Sequence, residues 1–558
     1  MLKKLGIFSI TTVLFSIYLH SSSREGKVVE TKSGIVKGVI SWSRGGREFH
    51  EWLGIPYAQP PVGNLRFASP VPIEKWTGVL DGSQYGHSCI QLELITLFSF
   101  GREDCLTLNI HSPKHANNTK LPVMVYIHGG GYNLMGSVDY KPHFFMDEDI
   151  VLVVINYRLG IFGFLSTGDQ SIRGNMGLKD QALALKWVKN NIEYFGGDSG
   201  QITIFGESAG AASVHYQLLS PTTEGLFQRA ISLSGVATNP WSYDTTEVAR
   251  KRTEDFARKV NCPIHDSQEL ANCLRDRSSR ELITAGLDDL TTFSMLLPHK
   301  SGTLFRPTVE AGNDSETFLA QDPLDVVKQG KAHRVPWITG VTGDEGLITS
   351  SCFYSKPETV ESYESKWEEN TLRAFGIPSK FPNATKISKK LREYYLQSNS
   401  TVAITKSKML QFTEIKTGGF SLRSLYFALT QTSNQFLPVK IFNVLNHFFQ
   451  TFLNKLGFGY DPIPKGTAHA DDLLLMFPFP MVSLLSKDAA EDFEFSKDFI
   501  KLWAAFAKNE PMQFRGQQFL PIGKTGPLKY LELNDSPQLV EDPFLDRMTF
   551  LESLNFIK

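Results

Sequence analysis

Residues 202–213 read Ile-Thr-Ile-Phe-Gly-Glu-Ser-Ala-Gly-Ala-Ala-Ser, a β-branched and aromatic run feeding into Gly-x-Ser-x-Gly and then into small helix-compatible residues. That order predicts a strand, a sharp elbow and a helix, with one hydroxyl, that of Ser208, at the apex. Gly206 and Gly210 flank it at i−2 and i+2, where side chains would collide as the chain reverses. The start of the helix aims backbone N–H groups at nearby negative charge. Ser208 has the setting of a nucleophile.

A serine hydroxyl needs a base, and the base needs an acid to hold its tautomer and stabilise its charged form. Among thirteen histidines, His469 has the best context, in the small-residue stretch Gly466-Thr467-Ala468-His469-Ala470-Asp471-Asp472 ahead of apolar Leu473 to Phe477. Periodicity alone does not choose it. The candidate acid is Glu345 in Gly343-Asp344-Glu345-Gly346, with Asp344 its rival. Ser208, acid, His469 is the hydrolase chain order. In His128-Gly129-Gly130-Gly131-Tyr132, consecutive glycines let backbone N–H groups converge on one point. Gly130 and Gly131, with the Ala209 N–H, form a candidate oxyanion cradle. A glycine-rich surface turn is the bland alternative, and the downstream Gly-x-Ser-x-Gly argues against it.

The elements that must position these groups alternate between buried strands and helices. Residues 28–40 suggest an N-terminal hairpin, and Gly54 to Pro61 a stiff, irregular stretch. Strands are expected at 122–128, 150–156, 202–206, 230–234 and 335–340, too continuously apolar for one wet face. Helices are expected at 177–193, 245–260, 361–375 and 495–506. This pattern implies right-handed crossovers and an α/β fold, a large mostly parallel sheet flanked by helices, with long insertions. Ligands of such sheets sit beyond the carboxyl ends of the strands, where Ser208 falls.

The chain has 558 residues, 41% of them hydrophobic, with 57 basic and 58 acidic side chains. This composition can build a large core, does not suggest disorder and argues against nucleic acid as a partner. No linker or internal repeat divides the chain, so 24–558 is expected to be one catalytic domain. Residues 1–23 pair Lys3 and Lys4 with an apolar run from Leu5 to Leu19, the shape of a cleaved secretory signal; a signal anchor or a buried strand is the alternative. Export fits the glycosylation triplets at Asn117, Asn313, Asn383, Asn399 and Asn534, each also open to chance occurrence. The cysteines fall as Cys89/Cys105, Cys262/Cys273 and a lone Cys352. Two short disulfides in an oxidising compartment, or a set of reduced core thiols, fit that spacing. Without CxxC or HExxH, no metal or cofactor is expected.

Taken together, these residues resemble the type B carboxylesterases, the cholinesterase-like branch of the α/β-hydrolases, and most closely the insect detoxifying esterases. Further landmarks are Gly54-Ile55-Pro56-Tyr57-Ala58, Pro61 to Phe67, Glu103-Asp104-Cys105-Leu106-Thr107-Leu108-Asn109, Asn156-Tyr157-Arg158 and Gly196-Gly197-Asp198. The resemblance runs from about Lys27 to Asn509 and makes Glu345 and His469 triad members. It implies disulfides Cys89–Cys105 and Cys262–Cys273, with buried ion pairs Arg66–Glu103 and Arg158–Asp180. Glu207 and Ser234 align with residues around the catalytic histidine and acid. Glu207 is expected to tune imidazolium charge or to position water.

By the same resemblance Trp241 lines the acyl side of the pocket and Tyr132 borders the oxyanion loop. The positions after Glu345 that would supply further aromatics read Ile348 and Thr349. A choline site also needs an aromatic face in the Cys89–Cys105 loop, which holds no tryptophan, so acetylcholine is a poor candidate. Glu207 stands where juvenile hormone esterases typically carry Gln. The expected substrates are small hydrophobic esters, uncharged aliphatic or aryl, of xenobiotic, odorant or dietary origin, with covalent organophosphate inhibition at Ser208. The alternatives are a juvenile hormone or pheromone esterase, a lipase, or a non-catalytic adhesion or binding protein. Relatives of the last kind lose the serine or histidine. The lipase reading rests on apolar segment 435–458, read otherwise as a surface helix packed on the core.

Overall fold

The computed structural model describes residues 24–93, 98–114, 119–286, 305–343, 345–346, 357–396, 436–441, 469–478, 489–519, 529–542 and 544–555. The expected signal at 1–23, Asn117, Asn399, Ile348, Thr349 and Cys352 lie outside these residues.

The strands are β1 (Arg24–Thr31), β2 (Gly34–Trp42), β3 (Glu48–Pro56), β4 (Thr107–Pro113), β5 (Leu121–Ile127), β6 (Val151–Ile155), β7 (Gly197–Glu207), β8 (Arg229–Leu233), β9 (Trp337–Thr342), β10 (Phe436–Ile441), β11 (Lys529–Leu533) and β12 (Gln538–Glu541). They join in one sheet in the order β1-β2-β3-β4-β6-β5-β7-β8-β9-β10-β11-β12. Pairing is antiparallel from β1 through β4 to β6, parallel from β6 to β11, and antiparallel at β12. This is the expected mostly parallel sheet with an antiparallel N-terminal edge.

Both faces are dry, which explains the unbroken apolar runs. In β5, Val123, Val125 and Ile127 face one hydrophobic cluster while Met124 and Tyr126 face the other. The same alternation splits Val151, Val153 and Ile155 of β6 from Leu152 and Val154. Helices α1 (Met176–Asn191) and α2 (Ala209–Leu219) cover the first face. Helix α7 (Ala489–Lys508) covers the second with Phe495, Phe499, Trp503 and Phe506, spaced for one helical stripe. Outside the sheet lie α3 (Thr246–Lys259), α4 (Ser267–Asp276), α5 (Pro357–Ser365) and α6 (Trp367–Ala374).

Two segments depart from expectation. Residues 54–56 are not irregular chain but the end of β3. The register shifts between Trp52 and Ile55, where the Gly54 N–H donates to Asn109 Oδ1 at 2.9 Å, so a bulge mimics a strand break in the sequence. Within 435–458, expected as a surface helix, Phe436–Ile441 is a sheet strand paired with β9 and β11. The segment reads Phe-Leu-Pro-Val-Lys-Ile, in which Pro438 and Lys440 argue against a central strand, and neighbours on both sides decided it.

Disulfides join Cys89 to Cys105 and Cys262 to Cys273, closing loops of 16 and 11 residues. Each contributes about 3 kcal/mol by loop-entropy reasoning. Arg66 binds Glu103 through two nitrogens, and its Nη1 donates to the carbonyls of Leu274, Arg275 and Arg277 at and beyond the C-terminus of α4. Arg158 meets Asp180 at 2.7 and 2.8 Å, and the Asp180 side chain is wholly buried. Among the described residues no helix is long and apolar enough to cross a membrane.

Breaking the second pair tests its role. Asp180→Ala strands a buried guanidinium and is expected to destabilise by about 3–5 kcal/mol. A lowered urea midpoint checks this; an unchanged midpoint contradicts it.

Candidate active site

Strand β7 ends at Glu207 and α2 begins at Ala209, leaving one residue to reverse the chain. Ser208 does so at φ 57° and ψ −123°, left-handed for a residue with a β-carbon. Its N–H donates to the Leu233 carbonyl of β8 and its carbonyl accepts from Ala212, both at 2.9 Å. The first turn of α2 passes so close to β5 that a β-carbon on Gly210 would lie 2.0 Å from the Ile127 carbonyl oxygen. The spacing Gly-x-Ser-x-Gly is a clearance requirement.

His469 comes to this apex from a turn far along the chain. Its Nε2 lies 2.7 Å from Ser208 Oγ, and its Nδ1 lies 2.6 Å from Glu345 Oε2. Glu345 follows β9, and its other oxygen accepts the Thr342 N–H at 2.8 Å. Glu345 is completely buried and His469 is 6% exposed, whereas Ser208 at the apex is half-buried. The Ser234 hydroxyl is buried at the end of β8, with its own backbone at φ 59°.

Burial alone would raise the Glu345 carboxyl, but the charge and hydrogen bond of His469 outweigh it and hold the group below the usual carboxylate range. For His469 burial opposes the charged form. The carboxylates of Glu207 and Glu345, with the Glu345 hydrogen bond, overcome it and raise the imidazole to about 9. Glu207 lies 3.2 Å from His469 Nε2. Burial pushes its carboxyl up to about 8 against the pull of the imidazole, with Asp472 and Glu345 adding to the rise. Asp472 is likewise raised to about 7 by burial and then by Glu345. Three carboxyls thus share one imidazole in a dry space. Sequence reasoning quoted Asp472 only as part of a motif. The signal that identifies it is an acid opening the apolar run Leu473 to Phe477.

The loop after β5 supplies the amide donors. Gly130 has φ 96° and Gly131 φ 61°, and a β-carbon on Gly130 would meet the Leu134 carbonyl at 2.3 Å. Among the described residues, the N–H groups of Gly130, Gly131 and Ala209 donate to no backbone carbonyl or side chain. The loop lies against the elbow, since a β-carbon on Gly129 would be 3.2 Å from Ser208 Cβ. Tyr157 fixes its start by donating to the His128 carbonyl at 2.8 Å, and Asn133 Nδ2 donates to the Gly131 carbonyl at 2.5 Å.

The expected pocket residues divide. Trp241 is half-buried against the core beside a loop braced by Ser242, whose Oγ lies 3.0 Å from the carbonyls of Val236, Ala237 and Asn239 and gives its one proton to this cluster. Tyr132 has no exposed surface; its ring packs 5.0 Å from Phe164, so it supports the loop from within and offers no wall to solvent. Among the triplets within the described residues, Asn313 and Asn383 are exposed and Asn534 half-buried. No group of three or more His, Cys, Asp or Glu side chains among the described residues is arranged to hold a metal ion.

A nucleophile elbow at the end of a parallel strand, facing a histidine held by an acid, defines an α/β-hydrolase. Residues 25–551 match the model of the carboxylesterase family, and the chain belongs to that family. It is 40% identical to a carboxylic ester hydrolase of Bombus ignitus over 66% of each chain. It is 35% identical to juvenile hormone esterase of Tribolium castaneum, over 91% of this chain and 88% of that one. The fold superposes on the crystal structure of juvenile hormone esterase from Manduca sexta, with OTFP covalently attached, at a TM-score of 0.80. That alignment has 27% identity and covers 95% of this chain and 99% of the other. The chain is a carboxylic ester hydrolase.

The charge cluster yields a pH prediction. To accept a proton from Ser208, His469 must be neutral, and the Glu207 carboxylate favours its charged form. Glu207→Gln removes that charge, so the acid limb of kcat/KM is expected to move to lower pH by about one unit. A limb that stays in place or moves up contradicts the assignment.

Proposed function

We propose that Ser208, His469 and Glu345 are the catalytic triad of a carboxylesterase that hydrolyses uncharged aliphatic and aryl esters through an acyl-enzyme. The observation that carries this reading is the unbroken relay of 2.7 and 2.6 Å from Ser208 Oγ through His469 to Glu345. His469 Nε2 takes the hydroxyl proton as Ser208 Oγ attacks the carbonyl carbon, and the charge moves onto the carbonyl oxygen. The amides of Gly130, Gly131 and Ala209 receive that oxygen; losing one such donor commonly lowers turnover by about 10²–10³. His469 then protonates the departing alkoxide. In the second half, water gives a proton to His469 and attacks the acyl carbon, and the proton returns to Ser208 as the acid leaves. Glu345 stays ionised and holds the imidazole in register.

Organophosphates fit the same geometry: Ser208 Oγ attacks phosphorus as His469 takes its proton, the bond from phosphorus to the leaving group breaks, and that group departs with the proton. The buried carboxyls around His469 favour an imidazolium formed during reaction, and nothing in the mechanism calls for a charged substrate. Two of the proteins this chain resembles are juvenile hormone esterases. Glu207 next to the nucleophile distinguishes this chain from the glutamine expected there in juvenile hormone esterases, and favours a broader ester specificity. Residues 1–23 act as a secretory signal ahead of one catalytic domain at 24–558. Two disulfides, suited to an oxidising compartment, support that destination.

An acyl-length series of nitrophenyl and naphthyl esters, measured beside acetylthiocholine and a triglyceride emulsion, tests the substrate class. Short to medium uncharged esters are expected to have the highest kcat/KM, with a burst of alcohol release. Ser208→Ala is expected to lose at least about 10³-fold in kcat. Preference for the thiocholine or the emulsion overturns the substrate reading, and full activity in Ser208→Ala overturns the mechanism.

A further inference from the structure

Gln91 lies inside the Cys89–Cys105 loop, paired antiparallel with Phe100, and its side chain is buried. Its Oε1 accepts the Met135 N–H at 2.7 Å, and its Nε2 donates to the Met135 carbonyl at 2.8 Å and to the Cys89 carbonyl at 3.0 Å. One primary amide therefore satisfies both backbone groups of a single residue, as one peptide satisfies another in a ladder. Met135 sits at φ 75°, a left-handed conformation for a residue with a β-carbon. Such a conformation persists only where the surroundings over-determine it. Leu134, directly before it, donates its N–H to the Gly130 carbonyl at 3.1 Å. From the Gln91 amide to Gly130 the path runs through the clamp on strained Met135, the peptide to Leu134 and the Leu134 hydrogen bond.

We propose that Gln91 is a positioning residue for the oxyanion loop: its clamp on Met135 fixes the backbone turn that presents the Gly130 and Gly131 amides to the substrate oxygen. This rests on the reading of those amides as oxyanion donors. Gln91 acts through the loop and touches none of the reacting atoms. Glutamate at this position accepts from the Met135 N–H but sets a carboxylate oxygen against its carbonyl; leucine does neither. A residue that only stapled the disulfide loop to the protein body would affect stability and leave the transition state alone.

The test compares the full-length enzyme with Gln91→Leu and Gln91→Glu. It uses ester kinetics, thermal unfolding, and the affinities of a trifluoromethyl ketone and its matched methyl ketone. The fluorinated ketone forms a tetrahedral oxyanion adduct with an active serine; the methyl ketone forms no stable one. Folded variants are expected to lose about 10- to 100-fold in kcat, with KM within about threefold of the parent. Affinity for the fluorinated ketone is expected to fall in proportion while the methyl ketone binds as before. Undiminished kcat in a folded variant, or a raised KM with kcat intact, overturns the proposal. If Gln91→Leu does not fold, the near-isosteric Gln91→Glu decides by the same measurements. A parent that binds both ketones equally overturns the oxyanion reading itself, a failure distinct from one confined to Gln91.

Discussion

The reversal at Ser208 is the constraint around which this molecule is arranged. A serine at φ 57° and ψ −123° occupies a region that costs about 1–3 kcal/mol. It persists because the neighbouring backbone leaves no other course. Ser208 is bonded on one side to β8 through Leu233, and α2 is pressed onto β5 through the absent side chain of Gly210. Both neighbours of β7 in the sheet are thus part of the elbow. Relaxing the turn would return Oγ to the plane of the strand, away from His469. The parallel order β5-β7-β8 is what makes the nucleophile available.

The second arrangement concerns charge. Desolvating a carboxylate is expensive, and four ionisable groups occupy the buried space next to the nucleophile. Their pKa directions are those of a cluster short of positive charge: one imidazole raised, two carboxyls raised, one lowered. Glu345 is the lowered one because it alone combines a hydrogen bond from the imidazole with one from a backbone amide, that of Thr342. Glu207 faces the other ring nitrogen, which during reaction must hold and release a proton. Protonating Glu207 removes a charge that raises His469, so the titrations of the two groups are linked. An orienting acid and a tuning acid therefore differ by their hydrogen bonds and not by residue type.

The strands and the elbow were legible in the sequence because their physics is local. Continuous apolar runs report burial on both faces, and Gly-x-Ser-x-Gly reports a steric collision at fixed spacing. His469 and Glu345 were not local in this sense. They lie 261 and 137 residues from Ser208 in sequence, and only the resemblance to a family chose them from thirteen histidines and an adjacent aspartate. The strand at Phe436–Ile441 was missed because its own residues carry no period that separates strand from helix. Tyr132 was expected to border the oxyanion loop, and its packing against Phe164 inside the core is a long-range outcome that motif position does not encode. Gln91 and Asp472 were passed over for the same reason: each acquires its meaning from a partner elsewhere in the chain.

The division of labour between sheet and loops explains where this chain spends its buried polar side chains. Regular elements satisfy their own backbone, whereas the catalytic loops cannot, and an unpaired buried amide or carbonyl costs about as much as a lost hydrogen bond. Asn156 meets this need by accepting from Ser137 and donating to the carbonyls of His87 and Cys105. Asn133, Tyr157, Asp139, Ser242 and Gln91 do the same for the segments around the glycine loop and Trp241. Most of these residues never approach the substrate. They let irregular backbone sit in a dry interior, while the three amides proposed as oxyanion donors are left without a protein partner among the described residues. The site is therefore built as much by side chains that complete the loops as by the proposed triad the loops carry.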